Sequence, residues 1–281
     1  MREGQWYPGN MARAINQLRE DLKVVDLVIE LLDARIPISS HNPLFARMLA
    51  GKKTVLLLHK ADRADPDATG HWLSYFKKRD QDAISFSIYH KHSISQLIGY
   101  LKGEQGKKQQ SRFKRPLRIM VVGVPNVGKS TLINYFLKKA VAKTGNQPGI
   151  TRGRQWIRIH PEIELLDTPG ILQPRITADS GYPLAAVGAI PAGRYDLQNT
   201  AFWLINCFQE KGKFDLMQKR YPGIKEKERA CLLEDIARSL GYLQSAGKLD
   251  LDRAAASLLR DFQEGALGRV TLEEVPSARN G

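Results

Sequence analysis

One stretch narrows the possible folds of this chain more than any other: Gly123-Val-Pro-Asn-Val-Gly128-Lys129-Ser130-Thr131. It fits the pattern G-x-x-x-x-G-K-[ST], follows an apolar run (117–122) and opens a helical one (129–137). The residue types have a chemical reason. Small residues let backbone N–H groups turn inward, and the helix N-terminus adds partial positive charge, so the loop cradles phosphate groups. Lys129 is placed to reach the β- and γ-phosphates and the Ser130 hydroxyl to ligate Mg²⁺, with Val127, Gly128 and Thr131 completing the cradle.

The surrounding pattern is α/β. Strand-like runs at 26–32, 54–58, 83–88, 117–122, 154–160 and 163–167 alternate with helical spacing at 11–23, 43–50, 71–79, 94–101 and 129–137. Such alternation specifies a parallel sheet covered on both faces. A basic, polar stretch at about 103–116 reads as a linker, suited to solvent or to RNA contact. After Pro174 the chain changes character. Residues 180–193 are rich in Gly, Pro and Ala and read as a hinge or docking segment, and helical patterns follow at 200–208, 226–240 and 251–262, then an extended tail at 267–275. The expected organisation is a phosphate-loop domain over 1–175 and a smaller all-helical, RNA-binding domain over 176–281.

Further motifs complete a nucleotide site. Asp167-Thr-Pro-Gly170 ends a strand, where Asp167 holds Mg²⁺ through a water and the Gly170 N–H approaches the γ-phosphate. Thr151, in Pro148-Gly-Ile-Thr151-Arg152, is suited to cap Mg²⁺ when a γ-phosphate is present. His59-Lys60-Ala-Asp62 follows the 54–58 strand. A carboxylate there accepts from both N1–H and N2–H₂ of guanine, which adenine cannot offer, and a buried carboxylate left unpaired rejects the wrong base. The Lys60 stem lies across the base face, and Ser87, at the next strand's end, belongs where a loop touches guanine O6. K-x-D is also a common solvated turn; its place after a strand separates the two readings.

Charge points to the partner. Lys and Arg total 43 against 29 Asp and Glu, a formal net charge of +14, with a pI near 9.8. That balance favours a polyanion. The two cysteines, Cys207 and Cys231, lack metal-ligand spacing and read as thiols of a reducing compartment. No apolar run is long enough to span a bilayer and no signal-peptide pattern opens the chain, so a cytoplasmic protein without a membrane partner is expected.

Taken together, the phosphate loop, Thr151, the Asp167–Gly170 turn and the K-x-D motif resemble the motifs of translation-factor-class GTPases. Their order, with K-x-D first, resembles the circularly permuted GTPases. Trp6-Tyr-Pro-Gly-Asn10-Met-Ala12, Asp33-Ala-Arg35-Ile-Pro37 and Asn42-Pro43 are similar to the ribosome biogenesis GTPase A (YlqF/RbgA) family, and the similarity extends over nearly the whole chain. The resemblance implies a GTP/GDP-binding hydrolase, a monomer, acting on the maturing large ribosomal subunit and its rRNA, with no DNA partner.

Two positions depart from that pattern. The specificity motif opens with His59 where the family has Asn, and the N-terminal segment has Asn10 where the family has His. Asn10 orients a water through its amide or caps the 11–23 helix. Ile171 follows Gly170 in place of a water-orienting Gln. Asn126 matches the residue that resembles a K⁺ ligand in cation-stimulated GTPases, so slow turnover stimulated by K⁺ and by the ribosomal subunit is expected. The alternative is a nucleotide-gated RNA-binding protein with little intrinsic hydrolysis.

Overall fold

The computed structural model describes residues 8–108, 115–144, 156–166, 178–225, 229–244 and 247–276. The apolar runs of the N-terminal part form β1 (Leu27–Asp33), β2 (Lys53–His59), β3 (Asp82–Ser85), β4 (Leu117–Gly123), β5 (Trp156–His160) and β6 (Ile163–Leu166). They make one sheet in the order β3-β2-β1-β4-β6-β5. Every neighbouring pair is parallel except β5 with β6. β1 is buried along its whole length, as a central parallel strand must be.

Helices α1 (Pro8–Leu22), α2 (Pro43–Met48), α3 (Pro66–Lys77), α4 (Lys91–Lys108) and α5 (Lys129–Thr144) accompany the strands. Leu18 and Leu22 of α1 and Phe45 of α2 join Val28, Met120, Val122 and Leu166 in one core cluster. Trp72 and Phe76 of α3 join Leu32, Leu56 and Leu58 in another. α4 and α5 pack on β4, β5 and β6. In strand β1, buried Glu30 lies 3.0 Å from the His41 ring, and, outweighing burial, the carboxylate raises the His41 pKa, so the two form an ion pair when that ring is protonated.

Three expectations change here. The basic linker does not begin at 103: α4 continues through Gly103 and Gly106 to Lys108. Leu101 and Gln105 are buried on it, and the Gln105 amide donates to the Arg115 carbonyl at 3.1 Å. Tertiary burial thus overrides the low helix propensity of two glycines. Likewise α1 starts at Pro8, so Asn10 lies inside its first turn and not at its cap. The Gly/Pro/Ala-rich segment is partly helical, α6 (Ala178–Ala186), with Pro183 inside it. Leu184, Ala185 and Ala186 are fully buried, which offsets the roughly 3 kcal/mol cost of an internal proline.

The chain divides into two compact units, the boundary falling between Pro174 and Arg175. The second unit contains α6, α7 (Leu197–Glu210), α8 (Phe214–Arg220), α9 (Arg229–Ser239) and α10 (Leu251–Glu264). α10 packs on α6, α7 and α9, with Phe208 and Phe262 edge to face at 6.2 Å. The tail from Glu273 packs with the first unit, not with the helices that precede it. Val275 rests against the Leu32–Trp72 cluster. That apolar contact accounts for its return.

Candidate nucleotide-binding site

Parallel strands bring their C-terminal ends to one edge of a sheet, and in this fold that edge gathers the motifs. The register sets Asp33 beside His59 and Leu31 beside Gly123. Strand β4 ends at Gly123, where a Cβ would come within 2.7 Å of the Leu31 carbonyl oxygen, so only glycine fits. The phosphate loop then turns into α5, whose first residue is Lys129. The Lys129 amine is buried and donates to the carbonyls of Gly123 (3.1 Å) and Val124 (2.7 Å). Ser130 and Thr131 are exposed in the first turn, where a hydroxyl would be available to a divalent cation.

The His59–Asp62 motif is bonded directly to this loop. The His59 Nδ1 lies 2.8 Å from the Val127 carbonyl oxygen. A carbonyl only accepts, so Nδ1 carries the proton and donates. The ring stacks on Phe86 at 5.6 Å, and a Cβ on Gly128 would lie 2.5 Å from Nδ1. Burial, helped by the Lys60 charge, pulls the His59 pKa down to about 4. At neutral pH the imidazole is therefore neutral, and its buried Nε2 has no hydrogen-bond partner. His59 thus braces the phosphate loop in the place where the family resemblance has Asn.

Lys60 makes the second link. Its amine donates to the Asn126 carbonyl and to Asp33 Oδ2, each at 3.0 Å. Both Lys60 (φ 59°) and Asn126 (φ 56°) hold left-handed backbone, unusual for residues with a Cβ. Such conformations cost on the order of 1–2 kcal/mol each and gather at functional sites. Burial pulls the Lys60 ammonium below its ordinary value, although Asp33 opposes this. Asp62 is half-buried, 3.7 Å from the Arg63 Nε. Ser87 is buried just beyond β3, its hydroxyl accepting the Tyr89 N–H at 3.3 Å. The Ala61 N–H donates to the Phe86 carbonyl, tying the Asp62 turn to the Ser87 loop.

Asp33 and Arg35 carry more than the sequence assigned to them. Both are fully buried, and the guanidinium grips the carboxylate through Nε (2.9 Å) and Nη2 (2.8 Å). Burial alone would raise the Asp33 pKa; the adjacent Arg35 and Lys60 cations hold it far below the usual carboxylate range. The signal in the sequence was a charged pair closing an apolar strand. Asn126, Val127, Gly128, Lys129, His59, Lys60, Asp62 and Ser87 all lie at this edge. Thr151, Asp167 and Gly170 lie outside the described residues, as does the side chain of Asn10.

Comparison with known proteins places this site in a family. The 50S ribosome-binding GTPase family (MMR_HSR1) matches residues 118–215. Ribosome biogenesis GTPase A of Bacillus cereus is 39% identical over 277 residues, covering 96% of this chain and 93% of that protein. The chain belongs to the ribosome biogenesis GTPase A (YlqF) family. The crystal structure of GNP-bound YlqF from T. maritima superposes with a TM-score of 0.66 at 30% identity, covering 93% of this chain and 98% of that one. A GDP-bound YlqF structure gives 0.64 at 31% identity, covering 92% and 98%. The rotated motif order is thus a property of this YlqF-family fold. In the sheet β2, which carries the His59–Asp62 motif, precedes the phosphate-loop strand β4 along the chain, with β1 between them in space.

Proposed function

We propose that this YlqF-family protein binds GTP with Mg²⁺, hydrolyses it, and in its GTP state holds a maturing large ribosomal subunit through rRNA. One observation carries the reading of the nucleotide. The guanine motif and the phosphate loop, 68 residues apart at His59 and Val127, are hydrogen-bonded into one site. Asp62 reads the guanine edge, Lys60 covers the base, and the Ser87 loop meets O6. Lys129 meets the β- and γ-phosphates on releasing its loop carbonyls. Ser130 and Thr151 would hold Mg²⁺, Asp167 would hold it through water, and the Gly170 N–H would sense the γ-phosphate. Asn126 would hold K⁺, whose positive charge would stabilise the transition state, and Asn10 would orient the attacking water. The names of the relatives and the net charge of +14 support an rRNA partner for a cytoplasmic monomer.

Binding of mant-GDP and mant-ADP, followed by turnover with and without large ribosomal subunits in K⁺ and in Na⁺, tests each part. We expect mant-GDP to win by at least about a hundred-fold, and turnover to rise with K⁺ and with subunits. Equal binding of the two nucleotides would remove the guanine reading. Equal turnover in the two salts would remove the role given to Asn126, and indifference to subunits would remove the proposed partner.

A further inference from the structure

The tail beyond α10 reaches the site from outside any motif. The Glu273 carboxylate accepts the N–H of Ile38 at 2.7 Å and of Ser39 at 3.0 Å, in the turn that follows Asp33 and Arg35. Within that turn the Ser40 hydroxyl donates to the Ile36 carbonyl (2.7 Å) and accepts the Asp33 N–H (3.0 Å). Asp33 in turn holds the Lys60 amine, and Lys60 holds the Asn126 carbonyl of the phosphate loop. A continuous polar chain therefore runs from residue 273 to the nucleotide site. Val275 seats the tail on the Leu32–Trp72 cluster, so Glu273 is anchored from behind.

Resting on the guanine reading above, we infer that Glu273 is a positioning residue for the guanine end of the site, acting through the 36–40 turn on the Asp33–Lys60 pair. Two backbone N–H groups captured by one carboxylate hold the turn that presents Ser40 to Asp33. Asp33, so oriented, keeps Lys60 in its left-handed conformation with the amine on the phosphate loop. The preceding residue, Leu272, belongs to the helical unit. The helical unit is thus joined covalently to the nucleotide unit directly before Glu273, as it is after Pro174. A load placed on the helices reaches the base-binding end through the connection before Glu273.

The test is a double-mutant cycle in the full-length protein, because proximity alone does not establish coupling. Dissociation of mant-GDP is followed by stopped flow in the parent, Glu273→Ala, Glu273→Gln, Lys60→Met and the Glu273→Ala/Lys60→Met pair. Glu273→Ala is expected to speed dissociation about three- to ten-fold, with Glu273→Gln, which keeps one acceptor, in between. On the Lys60→Met background the same change is expected to matter less than about two-fold. Equal acceleration in both backgrounds would overturn the inference, as would an unchanged rate in a Glu273 variant with a lowered melting temperature; Glu273 would then only clamp the fold. Should Glu273→Ala not fold, Glu273→Gln enters the cycle in its place. A parent that fails to bind mant-GDP overturns the guanine reading itself, and this inference with it.

Discussion

His59 shows how a single buried side chain can use one of its polar atoms and leave the other unused. Its Nδ1–H braces the phosphate loop through Val127, yet the buried Nε2 is left bare. An Asn in this position carries two donors and an acceptor on one amide. His59→Asn is therefore expected to tighten mant-GDP binding about three- to ten-fold, the worth of one recovered hydrogen bond. The substitution also bears on pH. The His59 pKa falls from 6.5 in the unfolded chain to about 4 in the fold. Between those values the unfolded chain binds the extra proton, so stability drops as pH falls through about 6.5 and the full loss is reached below about 4. At about 1.4 kcal/mol per pH unit, the loss is roughly 3 kcal/mol. Urea melts at pH 7 and pH 5 should show this drop in the parent and a smaller one in His59→Asn; parallel curves would contradict the assignment.

Among the elements, the helices of the second unit separate anchoring residues from contact residues. A tyrosine in such a helical unit can stack on bases or pack inside, and Tyr221 packs inside. In the fold it is fully buried, and its hydroxyl donates to Asp261 at 2.7 Å, beside an Arg220–Asp261 ion pair of the same length. Tyr242 is half-buried, bonded to Ser257 and covered by the Arg253 guanidinium at 4.1 Å. Tyr221→Phe is thus expected to cost about 1 kcal/mol of stability and to leave RNA affinity unchanged; a weakened RNA complex from a fully folded variant would reverse the assignment. The apolar stripe of α9 buries Leu232, Leu233, Ile236 and Ala237. The short α8 went unread, because seven residues show too few turns for a period to emerge.

For the whole molecule, a net charge of +14 makes the proposed association with RNA dependent on salt. Each phosphate neutralised contributes a slope of about −0.7 to −0.9 in log affinity against log salt. Binding of the GTP-analogue form to large subunits is expected to weaken by at least about a hundred-fold between 50 and 200 mM KCl. A flat salt profile in a filtration or fluorescence assay would argue for a protein partner contacted through apolar surface. Among the described residues no helix is long and apolar enough to cross a membrane. Cys207 is buried with its pKa pushed up to about 12, chiefly by burial, which fits an unreactive core thiol.

What was legible beforehand is what lies within a few consecutive residues. A glycine-rich loop between a strand and a helix, and a carboxylate two residues after a lysine at a strand end, state their chemistry locally. From those stretches came the sheet and the phosphate loop, together with the rotated order that the fold bears out. Asp33, Arg35 and Glu273 were different. Asp33 meets Lys60 because β1 and β2 pair in a register that sets Asp33 beside His59. Glu273 meets Ser39 across 234 residues because an apolar cluster draws Val275 back onto the first unit. Periodicity reports how a segment sits on its own backbone; which distant charge it meets follows from strand order and register, and those exist only once the sheet has assembled.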